Sequence, residues 1–213
     1  MKKRFIYTFL LLLAVILHAE ARTPMRQWLV AMPDSVMPLL TKNNRMDFID
    51  FYDAQMAAVV TNRMDGSSRM NRLTDDYVQM QVSEVSTLEM KLLPVNDSTR
   101  VICMVKTVCA SACDSSVRFY ASDWSAELAA KDFLQVPLGD DFFLPNDSLT
   151  DEAALARKMA DMHAMKASLS KDDASLTYQY TTPDYLNKED REKLLPLLKK
   201  EPMVLRWSEG RFR

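Results

Sequence analysis

The sequence predicts an α+β fold: N-terminal helices packed on an antiparallel β-meander, followed by a helix–strand–helix–strand C-terminal portion. Three observations carry that expectation. Apolar residues from Phe48 to Val59 recur at helical spacing. From Leu73 the period drops to two and stays there through four successive runs. The turns between those runs are short, which leaves antiparallel pairing of neighbours as the geometry.

The chain opens MKKRFIYTFLLLLAVILHAEAR. Lys2, Lys3 and Arg4 form a positive segment, Phe5 to Leu17 an apolar run too short for a membrane span, and Ala19-Glu20-Ala21 a small-x-small cleavage pattern. Residues 1–21 are expected to be a signal peptide. Residues 22–213 are expected to form a single α+β domain, with 22–145 and 146–213 as its sub-units if it divides. No cysteine lies near the cleavage pattern, which argues against a lipid anchor, and no later run is apolar for long enough to span a bilayer. The expected location is outside the cytoplasm: periplasm, cell surface or medium.

Pro33-Asp34-Ser35 starts a short helical stretch within residues 24–40. KNNRMDFIDFYDAQMAAVV follows, with Asn43 or Asn44 as the expected N-cap. At about 100° per residue, Phe48, Phe51, Tyr52, Met56 and Val59 share one side. Asp47, Asp50 and Asp53 fall on the other, so they read as a solvated acidic face rather than a metal site. Asp65-Gly66-Ser67 ends the region. TDDYVQMQVS alternates, with Tyr77, Gln79 and Gln81 on one side and Val78, Met80 and Val82 on the other. STLEMKLLPV, TRVICMVKTVC and SSVRFYASDW complete a meander of about four strands over residues 73–122. DFLQVPLGDDFFLP is expected to hold one or two short strands broken by Pro137 and Pro145. A helix capped by Thr150 is expected to run to about Ala167. SLTYQYTT reads as a strand, LNKEDREKLLPLLKK as a helix interrupted at Pro196, and PMVLRW as a last strand.

Composition removes several chemistries. The chain has three glycines, Gly66, Gly139 and Gly210, so no phosphate loop or dinucleotide turn exists. Beyond the leader there is one histidine, His163, which excludes a multi-histidine metal site. The leader holds Lys2, Lys3, Arg4 and Glu20; removing that net +2 from a total of −2 leaves about −4. A mildly acidic chain argues against nucleic acid as a partner. No cofactor is implied.

Four groups of residues merit weighing. KMADMHAMK contains Met159, Met162, His163 and Met165, a donor set suited to Cu(I) or Ag(I). On a helix, however, Leu155, Met159, Met162, Met165 and Leu169 form one stripe, and a core-facing stripe is the simpler reading. Cys109 and Cys113 flank a hairpin turn, where a disulfide and two free thiols both fit the spacing. Cys103 alternates with Val101 and Val105, as a small buried residue would. The doublets Asp75-Asp76, Asp140-Asp141 and Asp172-Asp173 offer carboxylates for a hydrolase, but all sit at strand starts or in loops. The C-terminal LRWSEGRFR interleaves arginines with Trp207 and Phe212; a closing strand with a frayed basic end accounts for it.

The stretches MPDSVMPLLTKNNRMDFIDFYDAQMAAVVTN, LTDDYVQMQVSEVSTLEMKLL, TPDYLNKEDREKLLPLLK and RWSEGRF resemble a family of exported Bacteroidales proteins of unknown function. The resemblance implies a Gram-negative envelope and brings no activity or functional residue. It also implies O-glycosylation where Asp-Ser precedes an apolar residue or Thr, which Ser35, Ser98 and Ser148 satisfy; turn and cap chemistry serves the same pairs. The expectation is therefore an exported, non-catalytic envelope protein that binds a protein or glycan partner. The alternatives are a small carboxylate-dependent hydrolase and a soft-metal binder.

Overall fold

The computed structural model describes residues 25–145 and 150–213. The expected signal peptide and Ser148 lie outside them. Seven strands form one antiparallel sheet in chain order: β1 (Val59–Thr61), β2 (Ser67–Leu73), β3 (Tyr77–Ser83), β4 (Ser86–Pro94), β5 (Arg100–Cys109), β6 (Cys113–Ala121) and β7 (Glu127–Leu128). A second antiparallel sheet has the order β11-β10-β9-β8, from β8 (Met165–Leu169), β9 (Ser175–Tyr180), β10 (Met203–Ser208) and β11 (Arg211–Phe212). Helices α1 (Met25–Ala31) and α2 (Lys42–Asp53) precede the large sheet. Helix α3 (Asp151–Met159) precedes β8, and α4 (Lys188–Leu194) lies between β9 and β10. The α+β expectation holds: N-terminal helices, then a meander.

Period-two alternation sorts the large sheet's side chains into two cores. On one face Val78, Met80, Leu88, Met90, Ile102 and Met104 pack beneath α1 and α2, against Leu29, Leu40 and Phe48. This layer buries seven of the fifteen methionines, Met25, Met32, Met37, Met70, Met80, Met90 and Met104, which serve core packing. On the other face Leu93, Val101, Cys103, Val105 and Phe119 meet Leu169, Leu176, Tyr178 and Phe212 of the small sheet. Phe119 stacks on Phe133 at 4.9 Å, and Trp207 meets Phe212 edge-on at 4.9 Å.

The small sheet is held through its own edge. Residues 165, 167 and 169 of β8 turn their N–H groups away from β9. The Met165 amide donates to Asp114 Oδ1 at 3.1 Å, Ala167 to Ser115 Oγ at 2.9 Å and Leu169 to Glu89 Oε2 at 2.7 Å. Three orphan donors of an edge strand are thus satisfied by side chains of β4 and β6, which also blocks strand addition there. Glu89, 8% exposed, additionally accepts from the Tyr77 hydroxyl and from Gln79.

Several expected boundaries are corrected. Thr41 caps α2: its hydroxyl accepts from the Asn44 amide, and Asn44 Oδ1 accepts from the Thr41 amide, a reciprocal box. The helix stops at Asp53 and Gln55 takes φ 56°, so Met56 is left 61% exposed and Val59 enters β1. The helix expected to reach Ala167 ends at Met159, and Met165–Leu169 is a strand. Tertiary pairing wins there over helix-forming residues, because β9 needs a partner and Ala167 and Leu169 fill the second core. DFLQVPLGDDFFLP forms no strand: it follows from a 3₁₀ turn at Ala130–Asp132, holds a second at Gly139–Phe142, and makes isolated bridges at Leu134 and Phe143. The C-terminus is not frayed: Glu209 and Gly210, at φ 50° and 76°, close a two-residue hairpin that buries Phe212.

Cys109 and Cys113 face each other across the β5–β6 turn with sulfurs at disulfide distance, 2.08 Å. Closing so short a loop stabilises by about 2 kcal/mol. Cys109→Ser is therefore expected to lower the melting temperature by a few degrees only, and mass spectrometry without reductant should show two thiols fewer than after reduction.

The second core also fixes an alkaline limit. Burial raises the Cys103 thiol above its ordinary 9.0 and the Tyr77 and Tyr178 phenols above 10.0. All three are neutral in the fold, so their contribution is complete below those ordinary values and is lost as pH rises beyond them. The urea midpoint is expected to hold to about pH 9 and then fall. In Cys103→Ala the fall begins later, nearer the phenol value; a midpoint unchanged far above it would contradict this.

Candidate functional site

Among the described residues, two hollows on different faces have ligand-sized volumes. One, about 470 Å³, lies beside the α1–α2 connection over Leu88, Met104 and Tyr120, rimmed by Ser35, Lys106 and Arg118. Its floor is the uncovered margin of the helix-side core, and Arg118 is tied to Glu127 at 3.3 Å. The other, about 620 Å³, is a groove on the outer face of the small sheet.

The groove follows from strand register. Lys166 stands opposite Gln179 and Ser168 opposite Thr177, all four on the face turned away from the second core. Cross-strand neighbours lie about 5 Å apart, so these four make a compact polar floor. Among the described residues, none of the four gives or takes a side-chain hydrogen bond within the protein, although each is built to do so. One wall is aromatic: Tyr180 stacks on Phe142 at 5.4 Å, and burial pushes its phenol above the ordinary value. Pro183, Leu195 and Leu198 add apolar surface. Helix α4, capped by the Asn187 side chain accepting from the Asp190 amide, brings Arg191 to the rim. The 3₁₀ turn Leu195–Leu197 then carries the chain to Lys199, Lys200 and Glu201. Four cations thus face two carboxylates, Asp184 and Glu201, in a chain whose net charge is −2.

KMADMHAMK comes apart into a helix end, a loop and a strand. Met159 closes α3, Met162 and His163 occupy the loop, and Met165 opens β8. Met162 is 57% exposed, so the core stripe is not what these residues form. His163 packs its ring against Gly139, where a Cβ would meet it at 2.2 Å, and its Nδ1 is 2.7 Å from the Tyr180 hydroxyl. The histidine therefore buttresses the groove's aromatic wall from behind. Gly139→Ala is expected to displace it and loosen that wall, visible as faster exchange of the adjacent Thr181 amide, which donates to the Ala164 carbonyl.

The aspartate doublets serve local structure. Asp76 pairs with Lys91 at 3.2 Å, Asp140 with Arg157 at 2.9 Å, and Asp173 accepts from the Ser175 hydroxyl. The Arg157 guanidinium holds the Asp140 carboxyl below its usual range, and the Ser175 hydroxyl does the same for Asp173. None of the doublets lines the groove. Among the described residues no three histidine, cysteine, aspartate or glutamate side chains gather as a metal site. No helix among them is long and apolar enough to cross a membrane. Ser35 and Ser98 are both exposed; Ser35 borders the smaller hollow, and Ser98 lies in a turn where its hydroxyl donates to Asn96.

The groove residues escaped the sequence reading. MKASL and SLTYQY place Lys166, Ser168, Thr177 and Gln179 at alternate positions, but the helix-forming residues of the first obscure its strand period.

A family described as "Protein of unknown function (DUF3256)" matches residues 16–212. No curated protein sequence matches the chain. A solved structure, a domain of an uncharacterized protein from Porphyromonas gingivalis W83, is similar to it. The two are 31% identical with a TM-score of 0.79, over 89% of this chain and 96% of that one.

Proposed function

The chain belongs to the DUF3256 family, as its resemblance to a Bacteroidales family of unknown function implied, and from that premise we propose that it is an exported, non-catalytic envelope protein that binds a glycan. Export is supported by the charged, apolar and small-x-small succession of residues 1–21 and by the cysteine pair at disulfide distance. The observation that carries glycan binding is the uncommitted polar floor, Lys166, Ser168, Thr177 and Gln179, inside a groove of about 620 Å³. Protein interfaces concentrate their energy on central apolar or aromatic anchors that fill pockets. Here the centre is polar and the apolar surface forms the sides, an arrangement suited to hydroxyl-bearing rings with apolar faces.

The doublet-based hydrolase reading loses support, since those aspartates are engaged elsewhere. Soft-metal binding has Met162 and His163 in an exposed loop in its favour, but His163 Nδ1 already faces the Tyr180 hydroxyl.

Calorimetric titration of the purified chain with an oligosaccharide panel tests the proposal. Thr177→Ala with Gln179→Ala should weaken any glycan bound by the native chain at least about tenfold with only a small drop in melting temperature, because both side chains lack internal hydrogen-bond partners and only the strand preference of Thr177 is lost. Affinity unchanged in the double variant, or sugar released from the ligand on incubation, would overturn it.

A further inference from the structure

The groove's charge names the class of glycan. Lys166 in the floor and Arg191, Lys199 and Lys200 at the rim stand against Asp184 and Glu201. Two of the cations are already engaged: Arg191 with Asp184 at 3.2 Å, and Lys199, whose Nζ donates to the Asp141 carbonyl at 2.7 Å. Lys166 and Lys200 have no ion pair or hydrogen-bond partner among the described residues. Lys166 rises from β8 within the floor, and Lys200 comes from the segment after the 3₁₀ turn, so the two free ammonium groups come from different parts of the groove. Lys166 is only partly exposed. An ammonium group held at a concave, partly desolvated surface attracts an anion more strongly than one in open solvent.

Resting on the glycan reading, we propose that the groove binds an anionic oligosaccharide whose acidic groups meet Lys166 and Lys200, while Ser168, Thr177 and Gln179 take its hydroxyls. A neutral sugar would leave both ammonium groups unpaired. An acidic peptide would satisfy the lysines but leave the neutral floor without the dense hydroxyls that it matches.

The test is calorimetric titration of the intact chain with four probes of similar length: an oligogalacturonate, a phosphorylated oligosaccharide, a neutral oligoglucoside and oligoglutamate. Two double variants accompany it, Lys166→Ala with Lys200→Ala, and Thr177→Ala with Gln179→Ala. The proposal expects the acidic sugars to bind tightest, with affinity falling as salt rises. Which of the two binds better identifies carboxylate or phosphate as the acid. The lysine variant should lose at least about tenfold for acidic sugars and change little for the neutral one. Equal, salt-insensitive binding of the neutral sugar would overturn the anionic assignment while leaving the glycan reading intact. Oligoglutamate binding as tightly as the acidic sugars would overturn both, as would no binding of any sugar. Acidic-sugar affinity that survives the lysine variant would also overturn the proposal.

Discussion

Arg45→Met is expected to destabilise the protein by about 3–5 kcal/mol, the range for breaking a buried charged network. Arg45 is 1% exposed on α2 and faces three carbonyls of the α1 region. Its Nε donates to Leu29 O at 2.9 Å, Nη1 to Leu40 O at 2.6 Å and to Asp34 Oδ1 at 3.0 Å, and Nη2 to Met32 O. These carbonyls lie at the end of α1 and in the connection to α2, where helix geometry leaves them without partners. A methionine fills the volume and strands all three acceptors. For a chain of this size the loss corresponds to a melting temperature lowered by roughly 10 °C. Arg63 supplies the control. It holds the same Asp34 from the exposed side at 2.7 Å, and Arg63→Met should cost far less, as solvent-exposed pairs do. Equal, small effects at both positions would contradict this account of Arg45.

Glu89→Ala has the second-largest expected effect, about 3 kcal/mol, and a localised signature. The carboxylate gathers the Tyr77 hydroxyl at 3.2 Å, Gln79 Nε2 at 2.8 Å and the Leu169 amide at 2.7 Å. The first two belong to the large sheet and the third to the small one, so Glu89 is a bolt between layers. Its removal should speed amide exchange along β8, at Leu169 most of all, before exchange rises in β4 or β5. Ser115→Ala should do the same more weakly through Ala167, since Ser115 Oγ accepts that amide at 2.9 Å. Uniform acceleration across both sheets would mean that the layers open together and that Glu89 is not what joins them.

The legible part of the fold is the part where one rule acted alone. Strands β3 to β6 could be drawn from alternation because each packs one face under α1 and α2 and the other under the small sheet. The split of Tyr77, Gln79 and Gln81 from Val78, Met80 and Val82 was likewise visible. KMADMHAMKASL could not be resolved from sequence. Methionine, alanine and lysine are strong helix formers, and their spacing happens to suit both periods. What decides it is long-range: β9 needs a partner, and the edge amides of β8 find Asp114, Ser115 and Glu89, 51 to 80 residues away in sequence. The C-terminal hairpin was missed for a different reason. Glu209 at φ 50° is a poor substitute for the asparagine or aspartate that usually marks such a turn. Only the first of these hid the groove, because its floor exists only once β8 is paired with β9. Its charge also could not be read from the chain's overall net of −2, which averages away a local excess of cations.

Amide exchange of the intact chain with and without a saturating acidic oligosaccharide locates the ligand most directly. The account predicts slowed exchange confined to residues 166–168, 177–180 and 191–201, which border the groove. Protection over residues 104–120 and 35–38 instead would assign the ligand to the smaller hollow, and exchange unchanged everywhere would contradict the groove as a glycan site.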